Sequence, residues 1–595
     1  MAALCSLPGS PDLSALRATL QDLLGFLRAA LPICSAHTVD FYTESLWREL
    51  VDLSPDGVLA ALGAPAGAEP REAGPGPGLI DLPRVFCERS QKLLSTEAFA
   101  LAARHYSVQS LGLCTPFEQL LTALGVNKEQ RTDTCENVKA IEFMNTKKSH
   151  EVQAMSELIC SIADYCGLKQ IIDVGSGKGY LSSFLSLKYG LNVYGIDSSN
   201  TNTHGAKERN RKLRRHCKLN HRQTRVDASG AALKMPKAVE TQKEAECKGG
   251  VESAPKSSLG SQNMAADVLP EVSESAVSVI GKQQDLHAQP REEDKFCLEN
   301  AFSLMDLLPV DAIEPTSPQV HNTEMSEVGK QRRDMKSKPN DSSVYSPLTS
   351  FITADSELHD IITDLEDCLM VGLHTCGDLA SNTLRIFASK SEVKGVCSVG
   401  CCYHLLSEEF ENQPKEYAQE NWGFPMCRYL KEERWCCGRN ARMSACLALE
   451  RVAVGQGLPT ESLFYRAVLQ NIIKDYYGIT KCDRHVGKIY SKCSSFLDYV
   501  RMSLKKLGLD ESKVSEEIIM DYYEKYKPRM NELEAFNMLK VVLAPCIETL
   551  ILLDRLCYLK EQEDVAWCAL VKLFDPVQSP RCYGVIALKK QSDQS

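Results

Sequence analysis

Three groups of residues in this 595-residue chain have the types and spacing to do chemistry. The first is Asp173-Val174-Gly175-Ser176-Gly177-Lys178-Gly179, which closes an apolar run and opens a helical pattern. Gly175 and Gly177 permit positive φ and let the backbone approach a ligand, while Gly179 allows tight helix–strand contact. Asp197 ends the next apolar run, where a carboxylate suits ribose hydroxyls. A dinucleotide would set its pyrophosphate on the helix N-terminus, and an acid immediately before the glycines repels it. The same carboxylate engages the positively charged amine of a methionine derivative, so charge favours S-adenosylmethionine. The loop also lacks the G-K-[ST] ending of a P-loop, because Gly179-Tyr180 follows Lys178. For the adenine side the candidate is Asp355, just past Phe351-Ile352-Thr353, with a plain surface-turn aspartate as the competing reading.

The second group sits at two further strand ends, Leu373-His374-Thr375-Cys376-Gly377-Asp378 and Gly400-Cys401-Cys402-Tyr403-His404. In open α/β sheets ligands bind outside the carboxyl ends of the strands, so these loops should converge near a transferable methyl group. His374 or His404 has the titration range of a general base, and Asp378 is placed to orient one of them or to bind substrate. Cys376, Cys401 or Cys402 is a candidate thiolate nucleophile of the kind pyrimidine-C5 methylation needs. Zinc on Cys397, Cys401, Cys402 and His404 is an alternative, but the spacing has no clean C-x-x-C pair, so no metal is expected. Buried thiols and a hydrogen-bonded histidine form the bland alternative for any single residue.

The third group is basic. Lys207 to Arg225 carries Arg209, Arg211, Lys212, Arg214, Arg215, His216 and Lys218, either a stripe for phosphates or a solvated helix face. Lys147-Lys148-Ser149-His150-Glu151 precedes a helix and either closes over the cofactor carboxylate, grips a substrate phosphate, or is an N-capping turn with Ser149 as the cap.

The elements that must position these groups read as α/β. Lys169–Val174 is a short buried strand, a helix follows from about Gly179 to Tyr189, and Leu191–Ile196 is a second strand. This rhythm predicts a parallel sheet with right-handed crossovers. It resumes with Leu348–Thr353, Cys368–His374 and Val393–Cys402. Val542–Leu559 reads as an amphipathic helix. Trp567–Phe574 and Cys582–Leu588 flank the turn-prone Asp575-Pro576-Val577-Gln578-Ser579-Pro580. A closing antiparallel pair belongs to a methyltransferase sheet; a nicotinamide-binding sheet would stay parallel.

Around this Rossmann-like core the chain adds other segments. Residues 1–130 show helical spacing at Leu13–Leu31, Leu46–Leu62 and Leu93–Ala103, interrupted by a Gly/Pro-rich loop from Gly63 to Gly78. Residues 131–226 begin the core. Residues 227–346 are rich in Ser, Glu, Lys, Gln and Pro and cannot bury enough apolar area to offset ordering entropy, so a disordered, partner-binding insertion is expected, with one helical island at Phe296–Leu308. Residues 347–460 continue the core, 461–540 form a helical insertion with stretches such as Lys474-Asp475-Tyr476-Tyr477 and Asp521-Tyr522-Tyr523, and 541–595 complete the core.

Composition narrows the setting. The net charge of −10 gives no global field for nucleic acid, although a local patch is compatible with it. The 25 cysteines are scattered through apolar segments rather than framed in a short secreted chain, which indicates a reducing cytoplasmic or nuclear compartment. Neither a signal peptide nor an apolar run long enough to cross a bilayer is expected, so no membrane partner is anticipated.

At these motifs the chain resembles the methyltransferase-like protein twenty-five family. The residues that carry the resemblance are Met144-Asn145-Thr146-Lys147-Lys148-Ser149-His150-Glu151-Val152, the glycine loop, Gly195-Ile196-Asp197-Ser198, Gly372-Leu373-His374-Thr375-Cys376-Gly377-Asp378-Leu379 and Val399-Gly400-Cys401-Cys402-Tyr403-His404. The resemblance implies a class I methyltransferase fold and an S-adenosylmethionine cofactor, and names no substrate. The His-x-Cys-Gly and Cys-Cys pair also resembles a tRNA ribose 2′-O-methyltransferase family, without the zinc-finger modules found there. The Asn/Asp-Pro-Pro-Tyr motif of many adenine-N6 enzymes is absent. The expected function is methyl transfer to a macromolecule, RNA ahead of protein; the alternative is a non-catalytic adaptor that retains the fold.

Overall fold

Among the described residues a sheet of eight strands organises the chain, in the order β1 (Cys114–Thr115), β7 (Val565–Lys572), β8 (Tyr583–Lys589), β6 (Val393–Cys401), β5 (Cys368–Cys376), β2 (Gln170–Val174), β3 (Asn192–Asp197), β4 (Tyr345–Thr349). The computed structural model describes residues 7–63, 82–126, 144–230, 345–411, 421–447, 449–454, 458, 460–480, 486–487 and 489–590. β2, β3, β4, β5 and β6 pair in parallel. β8 inserts antiparallel between β6 and β7, so the closing antiparallel hairpin expected from the sequence is present. The order reverses at β2, with β3 on one side and β5 on the other, and a crevice at the carboxyl ends is the place where such sheets bind ligands.

The central strands are buried along their length, as Ile171, Ile172 and Val174 in β2 and Leu369, Met370 and Val371 in β5 illustrate. Continuous apolar runs are what a strand covered on both faces requires. β4 departs from the reading of Leu348–Thr353: it starts at Tyr345 and ends at Thr349, and Phe351 lies beyond it, exposed. Pro347 argues against a strand in sequence, but β4 is an edge, where a missing N–H costs no ladder bond.

Two other expectations change. The N-terminal region is not wholly helical, because Cys114–Thr115 forms β1 and extends the sheet in parallel with β7. The helix read as amphipathic over Val542–Leu559 runs from Met530 to Lys560 and is buried on nearly every side, including Asp554 and Arg555. By length and composition the stretch Glu516–Lys560, which contains this helix, does qualify as long and apolar enough to cross a membrane, contrary to the sequence expectation, but 83% of its apolar window is buried within the fold. Met530–Lys560 is a central core helix, against which the N-terminal helix Leu13–Ser35 packs.

Residues Met1–Cys217 with Lys295–Ser595 form one compact unit, and Lys218–Asp294 form another. The first unit takes in the N-terminal region and the helices Thr460–Tyr477, Phe496–Leu507 and Glu516–Tyr526 of the expected helical insertion. Those helices share an aromatic core in which Tyr465 meets Phe496, Tyr499 and Tyr523 edge-on or tilted, and the Tyr522 hydroxyl donates to Asp475 at 2.6 Å. The helix after β3 runs from Asn200 to Gly230, past the expected start of the insertion at 227. The remainder of the insertion before β4, including Phe296–Leu308, and most of the Gly/Pro loop lie outside the described residues.

Candidate active site

The glycine loop emerges from β2 with left-handed backbone at Gly175 (φ 67°), Gly177 (φ 55°) and Gly179 (φ 68°). Gly179 caps the helix Tyr180–Tyr189, and a Cβ there would clash with the Tyr345 hydroxyl. The Tyr345 side chain from β4 thus fills the space behind the loop, a contact that the strand–turn–helix pattern does not reveal. Gly175 meets the other side of the crevice: a Cβ there would touch Leu379 Cδ2 at 3.0 Å and the His374 carbonyl at 3.5 Å. The loop and the end of β5 are therefore immediate neighbours.

Asp173 is buried at 2% exposure and accepts a hydrogen bond from the Ser182 hydroxyl. Burial pushes its carboxyl up to about 7, only partly countered by Ser182, and the Asp197 charge adds to the rise while Lys148 opposes it. Asp197, half-buried at the end of β3, accepts from the Gly177 N–H (2.9 Å), the Ser199 N–H (2.9 Å) and the Asn202 amide (3.1 Å). Ser176 donates its N–H to the Ile196 carbonyl at 3.1 Å, stitching the loop to β3. Asp355 does not join them. It is exposed and accepts from the Asn421 amide at 3.3 Å, because β4 ends earlier than its sequence suggests.

His374 closes the far side. Its Nε2 lies 3.1 Å from Glu151 Oε2 and 2.7 Å from the Lys148 ammonium, and Lys148 is 2.8 Å from the same carboxylate oxygen. Glu151 is fully buried and its other oxygen accepts from the Ser579 hydroxyl at 2.7 Å. Burial alone would raise this carboxyl, but the hydrogen bond and charge of His374, joined by Lys148, outweigh it and hold Glu151 well below the usual carboxylate range. The orienting acid is thus Glu151, not Asp378. Asp378 accepts from the Ser407 N–H at 2.8 Å, and burial raises it. Its work is to anchor the loop after β6.

Glu151 and Lys148 lie three residues apart on the helix Thr146–Cys166, hence on one face. The N-cap is Asn145, whose side chain accepts from the Lys148 N–H, and not Ser149. His150 Nε2 accepts from the Asp575 N–H at 3.0 Å and ties this helix to the β7–β8 turn. The sequence signal for the pair was the Lys147–Glu151 run. For Ser579 there was only a turn-forming stretch.

Cys376, Cys401 and Cys402 come together, with all three sulfurs within 4.8 Å of one another and Cys376 Sγ 3.0 Å from Cys401 Sγ. Hydrogen bonds from Cys401 and Cys402 bring the Cys376 thiol down, while Cys401 and Cys402 are pushed up. Cys397 stays apart: it is fully buried, with its sulfur 3.8 Å from Met155 Sδ, because its place inside β6 turns it into the core. The four-ligand zinc set weighed from sequence is therefore not assembled. His404 is buried, its Nδ1 is 3.8 Å from Cys446 Sγ, and burial lowers its pKa.

The loop carrying His404 is pinned by charge. Arg442, buried, pairs with the buried carboxylate of Glu408 and donates to the carbonyls of Tyr403 (3.2 Å) and Leu406 (2.8 Å). The Tyr403 hydroxyl donates to Glu548 of the central helix at 2.9 Å.

A methyltransferase-domain family model matches residues 147–409, from Lys147 through all of these strand ends. Over its whole length the chain is 77% identical to the mouse protein named "Probable methyltransferase-like protein 25", covering all of both chains. This chain belongs to the methyltransferase-like protein 25 family. The human protein of the same name is 72% identical, across 99% of this chain and all of its own. No solved structure matches this chain. Membership fixes the chain as a methyltransferase-family enzyme with an α/β methyltransferase fold.

Proposed function

We propose that this protein transfers the methyl group of S-adenosylmethionine to a macromolecule, with RNA ahead of protein. The observation that carries the reading is the contact between the two halves of the crevice: Gly175 lies against the His374 backbone, and the His374 ring is held by the buried Glu151. A donor loop and a held imidazole share one crevice.

The residues fit the cofactor. A Cβ at Gly177 would approach only the Gly175 carbonyl, at 4.0 Å, so the loop leaves room for a ligand against its backbone. Asp197, fixed by three protein donors, presents the remaining acceptor capacity of its carboxylate to ribose hydroxyls. Asp173 supplies the charge for the amine, and Lys148 a counter-charge for a carboxylate. The bound cofactor supplies an electrophilic methyl on a sulfonium. His374 Nε2 faces both the Glu151 carboxylate and the Lys148 ammonium; in the tautomer whose Nε2–H donates to Glu151, the Nδ1 lone pair would take the proton that the acceptor loses as its bond to the methyl carbon replaces the sulfonium's. Glu151 stabilises the imidazolium so produced and fixes the ring.

RNA is favoured by the basic helix beside the loop. Arg209 donates to the Lys178 carbonyl at 2.6 Å and stacks 4.1 Å from the Tyr180 ring centroid. Lys207, Arg211, Lys212 and Arg215 of the same helix are exposed, which suits phosphate contacts. We place the protein in a reducing compartment, cytoplasmic or nuclear, because its 25 cysteines are scattered through apolar segments.

The test is calorimetric binding of S-adenosylmethionine followed by transfer of labelled methyl to fractionated RNA and protein. His374→Ala should bind cofactor like the parent and lose at least about 100-fold in turnover, the usual share of a general base. Cofactor binding without transfer to any fraction overturns the enzymatic reading in favour of an adaptor.

A further inference from the structure

We propose that Cys376, Cys401 and Cys402 form a thiolate site for a thiophilic divalent cation, zinc, at the ends of β5 and β6. The sequence shows it only in part: it offers Cys401 and Cys402 for zinc together with Cys397, whereas the third thiol is Cys376 of the neighbouring strand. The backbone assembles it. Cys376 and Cys401 face each other across the parallel ladder, and the Gly377 N–H donates to the Cys401 carbonyl at 3.2 Å. Successive residues of an extended strand point to opposite faces, so Cys401 and Cys402 should diverge. Cys402 instead adopts φ 50°, ψ 50°, a left-handed conformation rare outside glycine, and its sulfur joins the other two.

The spacing suits the ion. Tetrahedral zinc with bonds of about 2.3 Å separates its sulfurs by about 3.8 Å. Cys376 Sγ and Cys401 Sγ stand 3.0 Å apart and all three sulfurs lie within 4.8 Å of one another, near enough for one ion to draw them to that spacing. A nucleophilic cysteine needs one base or one cation beside it; three thiols converging on a single point match a metal's requirement instead. Two further soft donors adjoin the set. Cys446 and His404 act electrostatically on Cys376 and Cys402 respectively, and His404 Nε2 is buried with no hydrogen-bond partner among the described residues. These are the candidates for a fourth ligand. Cys401 is buried and Cys376 exposed, so the site is closed inward and open outward. It would fasten the ends of β5 and β6 beside His374, independently of which acceptor the crevice takes.

The experiment uses the full chain purified under reducing conditions without added chelator. Elemental analysis should find about one zinc per chain. After exchange, cobalt(II) should give thiolate-to-cobalt charge-transfer absorption. Cys376→Ser, Cys401→Ser and Cys402→Ser should each lose most of the metal and that absorption while melting cooperatively. Cys160→Ser, on the helix Thr146–Cys166, should keep both. The cobalt spectrum of the parent protein needs no variant, so a misfolded variant does not rescue or sink the proposal. A parent protein free of metal that takes up cobalt without charge-transfer bands overturns it. So does a Cys376–Cys401 disulfide isolated from the metal-free protein, or metal retained in full by all three variants.

Discussion

If Asp173 is the partner of the cofactor amine, its titration must appear in cofactor binding. The carboxyl is buried and titrates near 7, against 3.8 for a free aspartate, because desolvation disfavours its charged form. Only the carboxylate attracts an ammonium, so the affinity for S-adenosylmethionine should follow the ionised fraction. That fraction is roughly nine-tenths at pH 8 and one-tenth at pH 6, and affinity should weaken about tenfold between them, or about 1.4 kcal/mol. Calorimetry in buffers of different ionisation enthalpy should register about half a proton released per cofactor bound near pH 7. Asp173→Asn should bind more weakly at pH 8 and with no such slope. The same shift has a stability consequence of defined sign. The folded state holds a proton that the unfolded state gives up between pH 3.8 and about 7, so this residue erodes stability as pH rises through that window. The full erosion is about 4 kcal/mol, and Asp173→Asn should recover much of it at pH 8 as a raised melting temperature. A cofactor affinity flat from pH 6 to pH 8, or wild-type affinity in Asp173→Asn at pH 8, refutes the pairing.

Other substitutions probe the supports of the crevice. Gly179→Ala combines a positive φ with a clash against the Tyr345 hydroxyl, and should cost about 2 kcal/mol or more in urea unfolding; adding Tyr345→Phe should restore part of it. Arg442→Met leaves the buried Glu408 carboxylate unpaired and should destabilise by about 3–5 kcal/mol, with Glu408→Gln in the same chain returning part of the loss. Glu151 is held below its ordinary range, so its contribution is present above pH 4.5 and is lost as pH falls. Glu151→Gln should therefore lower the melting temperature more at pH 7 than at pH 4, and should lower turnover while leaving cofactor affinity close to the parent's.

What the sequence determined by itself is local. Strand, glycine loop, helix, strand and acid follow in order within Ile171–Asp197, and each step rests on short-range physics: apolar runs, positive φ at glycine, a carboxylate before the loop. The antiparallel ending was legible for the same reason, as two apolar runs around a turn. Boundaries failed where a neighbour overrode local preference, as when the sheet edge accepted Pro347 and Asp355 was left on the surface. The polarity of Glu548, Asp554 and Arg555 reads locally as an exposed face, yet Tyr403, Arg581 and the Met426 and Cys427 amides satisfy the carboxylates inside the core. Only tertiary structure decided the chemistry end of the sheet. Glu151 reaches His374 across 223 residues of chain, Ser579 reaches Glu151 across 428, and Cys376 meets Cys401 through strand register. Residue types announced a glycine loop and polar strand ends that should converge; packing between distant segments chose which acid holds the histidine and which thiols share a point.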